Sequence, residues 1–590
     1  MNMSADARRR ARLASWLILP WLLVSGGMAD AVERAAAGMN AVAPADDANN
    51  AASGYSALAQ VDHGNVWRLQ TAWKWPAGNP AGGAESAQAN AGAGFPSAPR
   101  ILPEAAGGTL LFCADASHLQ ALDPATGREL WRAAQPCTGF IYRHDPSRNP
   151  SRNPSRNPSR DPSATPATRP CTHRLLSDSG DGHLLAIDAL TGERCTAARE
   201  AGSRGDRMIT TGIAPPVSLG NSVVLAYQES GQAAPGNAGQ AGLMAMDADT
   251  GARRWMTALP GEVHADDLML AADAAGKLLI IATTTTVSAL HGESGALAWQ
   301  LPMPSGGSRD PGRASRPLLV EIARGHRRIP AVVLIGSRGI VTVLDRTTGL
   351  PLPAATDRNL AGPDLTPGDA WGLTFWDQAR CRELLSEALL NGNPASGSAG
   401  NDGPWISFPT PAEPGTRPGI AFDPARNLLV ADLSRLATWF PGKPAGAAGK
   451  IFLGPTGMPC TAPPWSIVTA MDLDTGAIHW TEPLGSLPGM MQMMLPGSSK
   501  SWSANAGGEP LVTAGGLVFL ATSGDRRLHG FELDTGHESW SMQLPAAARG
   551  APLTYQVGDR QYVVIAGGNG AADRYLLAWA LPGKYLKSLD

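Results

Sequence analysis

Six cysteines are the residues in this sequence best placed for covalent chemistry: Cys113, Cys137, Cys171, Cys195, Cys381 and Cys460. No two form Cys-x-x-Cys, which removes the usual zinc and dithiol redox patterns, and no Cys-x-x-Cys-His is present to attach haem. Disulfides are the remaining use, with many pairings open and none chosen by spacing. The eleven histidines are dispersed. No Gly-x-Ser-x-Gly elbow is present to carry a nucleophilic serine. The glycine-rich "GGNGAADR" (567–574) does not lie in a strand–turn–helix pattern, so it is not a dinucleotide signal.

The elements that would position any chemistry come from one repeated phrase. It reads "LQALDPATGRELW" (119–131), "LLAIDALTGERC" (184–195), "LMAMDADTGARRW" (243–255), "VSALHGESGALAW" (287–299), "VTVLDRTTGLPL" (341–352), "VTAMDLDTGAIHW" (468–480) and "LHGFELDTGHESW" (528–540). Alternating apolar residues before the turn predict a strand with one buried face. The Asp side chain can bond backbone amides across the bend. The Gly supplies the positive φ that the turn needs, and the Trp opens the return strand, where it can wedge between sheets. A short β-unit recurring every few tens of residues predicts a propeller or solenoid. The wide gap between Asp345 and Asp472 is expected to hide one further unit, with strands in "GIAFDPARNLLVADL" (419–433). Seven phrases and this unit make an all-β, eight-bladed β-propeller. Its terminal stretches, "VWRLQTAWKW" and "YLLAWALPG", are expected to share a blade.

Composition agrees with many turns and few helices: Gly 68 and Pro 49 among 590 residues. A formal charge of -3 gives no basic footprint, so nucleic acid is not an expected partner. Residues 1–31 carry Arg8, Arg9, Arg10 and Arg12, then "LASWLILPWLLVSGG", then Ala29-Asp30-Ala31, the order of a secretory signal or an N-terminal anchor. The apolar run is short for a membrane span and Pro20 interrupts it. The mature domain, 32–590, is expected to be periplasmic, soluble or peripherally associated with the inner membrane. Residues 145–170 are a tandem repeat with Pro at every fourth position, which excludes helix and sheet interiors and predicts a surface insertion. Cys137 and Cys171 flank it, and a disulfide between them would pinch its base.

The Asp-x-x-Thr-Gly-x-x-x-Trp phrase resembles the tryptophan-docking motif of quinoprotein dehydrogenases, eight-bladed propellers that use pyrroloquinoline quinone (PQQ). Longer stretches resemble the membrane-bound glucose and quinate dehydrogenase branch: "YSALAQVDHGNVWRLQTAW", "WGLTFWDQARCREL" (371–384), "PCTAPPWSIVTAMDLDTG", "EPLVTAGGLVFLATSGDRRLHGFELDTG" and "GDRQYVVIAGGNG". The resemblance covers nearly the whole mature chain, without the multi-helix membrane domain of glucose dehydrogenase. It implies PQQ, with calcium or magnesium held by hard oxygen ligands. It further implies a carboxylate base and a sugar, polyol or cyclic polyol substrate. With no haem-attachment motif present, ubiquinone or another electron acceptor would take the electrons.

Carried over residue by residue, the resemblance puts the base at Asp310, in "GGSRDPGRAS" before "RPLLVEI", without the family's His and Trp neighbours. An exposed loop Asp beside Pro311 is the plain alternative. The cation that contacts the quinone falls at Ser337, with Arg338 one residue late, which in a strand would turn it to the other face. The metal ligands fall at Thr285, in "LLIIATTTT", and at Glu229, in "YQESG"; a surface Glu is the plain alternative for the latter. The aromatic platform has no counterpart, since no Trp lies between Trp255 and Trp299. The His above the quinone reads Ala134, and the Asn-Trp-Gly segment is replaced by "GTRPGIAF". Two functions therefore stand: a divergent PQQ-dependent dehydrogenase, and a catalytically inactive periplasmic propeller that binds or scaffolds, as related outer-membrane assembly propellers do.

Overall fold

The computed structural model describes residues 53–76, 95–145, 171–195, 208–230, 240–303, 313–390, 405–440, 449–485 and 508–583, apart from short breaks within these ranges. Residues 1–31, Asp310 and all but the first residue of the 145–170 insertion lie outside them.

The chain is all-β, with one long helix, Phe375–Leu390, among the described residues. The repeated sheets are antiparallel meanders. One runs Arg100–Ile101, Leu110–Asp115, His118–Leu122, Glu129–Ala134; another Met269–Ala272, Leu278–Ala282, Thr286–His291, Leu297–Pro302. Gly419–Asp423 and Leu428–Ser434 pair in sequence with Ser466–Asp472 and Ile478–Pro483, so the stretch without a recognisable phrase does supply two strands. Gln70–Pro76 pairs antiparallel with Tyr575–Ala580, and the two ends of the chain complete one sheet.

Consecutive residues of each second strand face opposite neighbours. Leu111 packs in one core with Leu175, and Leu176 in the next with Val223. Val224 then meets Leu279, and Ile280 meets Val332. Val333 shares a core with Leu429, and Val430 with Val518. Phe519 meets Val563, and Val564 returns to Leu110. The period-two alternation of a strand thus serves two interfaces at once. This corrects the expected single buried face of the phrase strands. In Ala241–Asp247, Leu243 and Ala245 are buried on one side and Met244 and Met246 on the other, because sheets stack against both faces.

The turns hold as their residue types require. Asp247 Oδ1 accepts from the Asp249 and Thr250 amides and from the Thr250 hydroxyl at 2.9–3.0 Å. Asp345 makes the same set with Thr347 and Thr348. The indole of one sheet then lies on the turn of the next. Trp73 N–H donates to the Pro124 carbonyl (2.8 Å), Trp255 to Gly292 (2.8 Å), Trp299 to Arg346 (3.0 Å) and Trp480 to Leu533 (2.7 Å). Gly349 has φ 73°, and a Cβ there would come within 2.7 Å of the Trp299 ring, so both backbone and packing demand glycine. Trp131 rests on Gly192 with no partner for its N–H among the described residues. Trp540 instead meets Trp579 edge-on.

The disulfides are Cys113–Cys137, Cys171–Cys195 and Cys381–Cys460. Cys137 is therefore bound to Cys113, not to Cys171, and no disulfide pinches the insertion. The third pair anchors the helix to the segment leading into Ser466–Asp472. Beside the helix lies a small sheet of Trp405–Thr410, Leu436–Phe440 and Lys450–Ile451, with a core of Leu385, Ala388, Ile406, Ala437 and Phe452.

Candidate functional site

The candidate residues within the described part share one topological place, the connection between the second and third strands of successive sheets. Glu229 stands near the end of Ser222–Ser230. Thr285 lies between Leu278–Ala282 and Thr286–His291, and Ser337 and Arg338 between Arg327–Ile335 and Val341–Asp345. Arg435 follows Leu428–Ser434, where that strand hands over to the small sheet beside the helix.

Glu229 is half-buried and pairs across the ladder with Ile209. Its amide donates to the Gln240 carbonyl (3.0 Å). Burial, aided by the Glu229 charge, pushes the nearby Tyr227 phenol above its ordinary value. Thr285 is exposed and stands in a turn rather than in the strand, which ends at Ala282. The threonine run builds that turn: the Thr285 and Thr286 amides donate to Thr283 Oγ1 at 3.3 and 3.0 Å.

Ser337 and Arg338 also lie past their strand. A tight turn closes over them, with the Gly339 amide on the Gly336 carbonyl and Gly336 on Ile340, both 2.9 Å. The strand rule that would have flipped Arg338 does not apply in this turn. The Arg338 guanidinium, only 16% exposed, donates to Asp364. Asp310 lies outside the described residues.

Four groups at this edge escaped sequence reasoning. Asp178 is buried, and its Oδ1 accepts from the Gly180 amide (2.8 Å) and the Thr211 hydroxyl (2.7 Å), which in turn accepts from Gly182. Asp432 is 5% exposed with no side-chain hydrogen bond among the described residues, and burial pushes its carboxyl up to about 8. Its signal was legible: a lone acid inside the apolar run "LLVADL". Arg435 has its Nε closed off from solvent without a partner, and burial pulls its guanidinium below the ordinary range. His529 is 3% exposed, with Nδ1 against Glu538 (2.9 Å) and Nε2 against Asp525 (3.2 Å). Burial lowers its pKa, but the two carboxylates outweigh it and hold the imidazole above its ordinary value.

A divalent cation in a quinone site needs several oxygen donors converging on one point. Among the described residues no group of three His, Cys, Asp or Glu is placed to hold a metal. An exposed Thr285 and a half-buried Glu229, carried on two different sheets, do not supply such a set. The cation expected beside the quinone is occupied by Asp364. Among the described residues no complete site for PQQ and its metal is assembled, and no chemical step is derived through either.

The sheet architecture is similar to that of solved alcohol dehydrogenases. The quinohemoprotein alcohol dehydrogenase of Comamonas testosteroni superposes with a TM-score of 0.55 at 18% identity, over 90% of this chain and 79% of that one. A europium-containing methanol dehydrogenase gives the same TM-score at 17% identity, over 90% of this chain and 96% of its own. Residues 44–275 and 351–563 match the PQQ-linked glucose/ethanol/alcohol dehydrogenase β-propeller domain, and the chain belongs to that family. It is similar to quinoprotein glucose dehydrogenase A of Acinetobacter calcoaceticus, 26% identical over 89% of this chain and 77% of that protein. It is also similar to the quinate/shikimate dehydrogenase (quinone) of Acinetobacter baylyi, 25% identical over 88% and 76%. These relatives are oxidoreductases acting on CH–OH groups, and this chain is a divergent member beside them. Between the two matched stretches lie residues 276–350, which contain Thr285, Asp310, Ser337 and Arg338. The scaffold follows the family where the candidate site departs from it.

Proposed function

We propose that this chain is a divergent PQQ-dependent dehydrogenase-like protein that oxidises a sugar, polyol or cyclic polyol of the glucose or quinate type in the periplasm. The family match on both sides of 276–350 carries the proposal. The same proposal takes residues 32–590 as one eight-bladed propeller. The sheet-to-sheet cores that return from Val564 to Leu110 support closure, and the indole-to-carbonyl contacts support tryptophan docking between blades. Residues 1–31 are its export signal or anchor. PQQ is the family's cofactor, and calcium or magnesium its implied metal.

Asp310 is assigned as the base that removes the alcohol proton, a role that needs a carboxylate within hydrogen-bond reach of the hydroxyl. Ser337 and Arg338 are assigned to the cofactor side, Glu229 and Thr285 to the metal side. Ubiquinone or another electron acceptor is assigned to take the electrons. One observation favours the second function, an inactive propeller that binds or scaffolds in the periplasm: the Arg338 guanidinium is already neutralised by Asp364.

The test is a titration of the purified full chain with PQQ in calcium or magnesium, followed by tryptophan quenching. Saturable binding, followed by turnover in a dye-linked sugar and polyol screen that Asp310→Asn abolishes, supports the enzyme. A folded protein that gives no quenching overturns it in favour of the inactive propeller.

A further inference from the structure

The exposed large apolar residues of the described chain are mostly single, as on most protein surfaces: Trp67, Leu130, Leu190, Leu297 and Ile478 each stand apart in sequence. One group does not. Leu373, Phe375 and Trp376 are 45, 67 and 73% exposed, at the start of the helix Phe375–Leu390. The Phe375 and Trp376 rings lie 4.2 Å apart. Leu453, 44% exposed, precedes Gly454, which sits against Asp377 on the helix's first turn.

This tip is rigidly held. Asp377 is buried and accepts from the Leu373 amide (3.0 Å) and the Thr456 hydroxyl (2.7 Å), which ties the two apolar segments together. One turn further on, Cys381 is bonded to Cys460. The aromatics are therefore not waiting for a hydrophobic core of their own; the fold fastens them outward. The exposed face of the helix then turns polar, through Arg380, Arg382, Glu383 and Glu387, with Arg380 paired to Glu383. Arg382 has no ion pair among the described residues. The apolar part is a small exposed group at the helix start.

We propose that this tip is a membrane-docking point, which enters the interfacial layer of a phospholipid bilayer with Phe375 and Trp376. The chemistry fits lipid. Aromatic rings with leucine prefer the headgroup–acyl boundary, and an arginine just behind them meets phosphate at headgroup level. A fluid phase accepts such an exposed apolar group without a matching groove. The proposal extends the functional assignment above, in which a membrane-dissolved quinone is one of the electron acceptors assigned, but its test needs neither PQQ nor turnover. The candidate edge connects to the tip by a short path: Arg338 holds Asp364, and the chain then runs through the Thr366–Asp369 capping pair to Trp371, whose amide donates to the Cys460 carbonyl.

The experiment mixes the full chain with vesicles of phosphatidylethanolamine and phosphatidylglycerol, with and without brominated acyl chains, and reads tryptophan emission. Bromolipid is expected to quench the native protein. In Trp376→Phe the quenching falls while vesicle flotation persists; in Phe375→Ser/Trp376→Ser the tip's contribution to partitioning drops roughly ten-fold or more. Trp67→Ser, an exposed tryptophan elsewhere, should leave the tip's quenching in place. Absence of bromolipid quenching, or quenching that Trp376→Phe leaves intact, overturns the proposal. The second result would assign membrane contact to the N-terminal segment alone. The conservative Trp376→Phe variant keeps the outcome readable if the double serine variant fails to fold. A negative PQQ titration with positive bromolipid quenching would sink the enzyme and leave the docking point standing.

Discussion

Arg338 donates its guanidinium to the carboxylate of Asp364, in the tight turn to which we assign the cofactor side of the proposed site. The arginine is largely buried while the aspartate is 56% exposed, so the pair spends the cation without closing the edge to solvent. Removing the acid should free the cation. Asp364→Asn is expected to tighten PQQ binding by roughly three- to ten-fold, through one recovered charge-assisted contact. Because the pair is half in water, unfolding stability should change by less than about 1 kcal/mol. Paired titration and urea melts check both; an unchanged PQQ affinity would mean that Arg338 does not face the cofactor.

The indole-on-turn contacts make glycine obligatory at some left-handed positions and merely convenient at others. Gly349→Ala drives a Cβ to within 2.7 Å of the Trp299 ring at φ 73°. Gly108 has φ 58° with nothing within 4 Å. Gly349→Ala should therefore cost about 2–4 kcal/mol, from strain plus displaced packing, and Gly108→Ala only about 1 kcal/mol, from backbone strain. Equal losses in urea unfolding would show that the indole contact is not tight.

His529 lies between Asp525 and Glu538, which raise its folded pKa above its ordinary value despite burial. A raised basic pKa means that the folded state holds the proton more tightly than the unfolded one. The stabilisation is complete below the ordinary histidine value, near 6.5. It fades as pH climbs through the raised folded value. His529→Gln should lose stability mainly at acidic to neutral pH and converge on the native protein at alkaline pH. Thermal melts across that range decide it; a constant offset would assign the loss to packing.

Asp432 runs the opposite way. Burial lifts its carboxyl from 3.8 to about 8. The folded state therefore favours the neutral acid, and the ionised form is disfavoured on folding. The penalty is absent below the ordinary value and grows as pH rises toward 8. Asp432→Asn keeps the shape without the charge. It should stabilise by roughly 1–3 kcal/mol near pH 8 and leave stability unchanged near pH 4. A variant equally stable at both values would show that Asp432 finds a counter-charge in solution.

The repeated phrase made the architecture legible before any coordinates, because its signals are local. Asp345 must reach amides two and three residues on, Gly349 must take positive φ, and both demands are met within one turn. Residue type also exposed the weakness of the candidate site, since Ala134 and the missing tryptophan are visible in the sequence. Less was legible where a residue's meaning depends on a distant partner. The pairing of Cys137 with Cys113 rather than Cys171, and the hold of Asp364 on Arg338, are set by which loops the stacked sheets bring together.

The sequence by itself determined the unit: strand, aspartate-capped turn, glycine and returning tryptophan, repeated along an all-β chain of the PQQ dehydrogenase family. Tertiary structure decided what faces what. It buried both sides of strands such as Ala241–Asp247, placed Thr285 and Arg338 in turns where strand alternation no longer governs them, and left Phe375 and Trp376 outside every core. Turn chemistry acts over a few bonds and is written in residue order. Burial, charge pairing and exposure are sums over neighbours that meet only when the sheets stack.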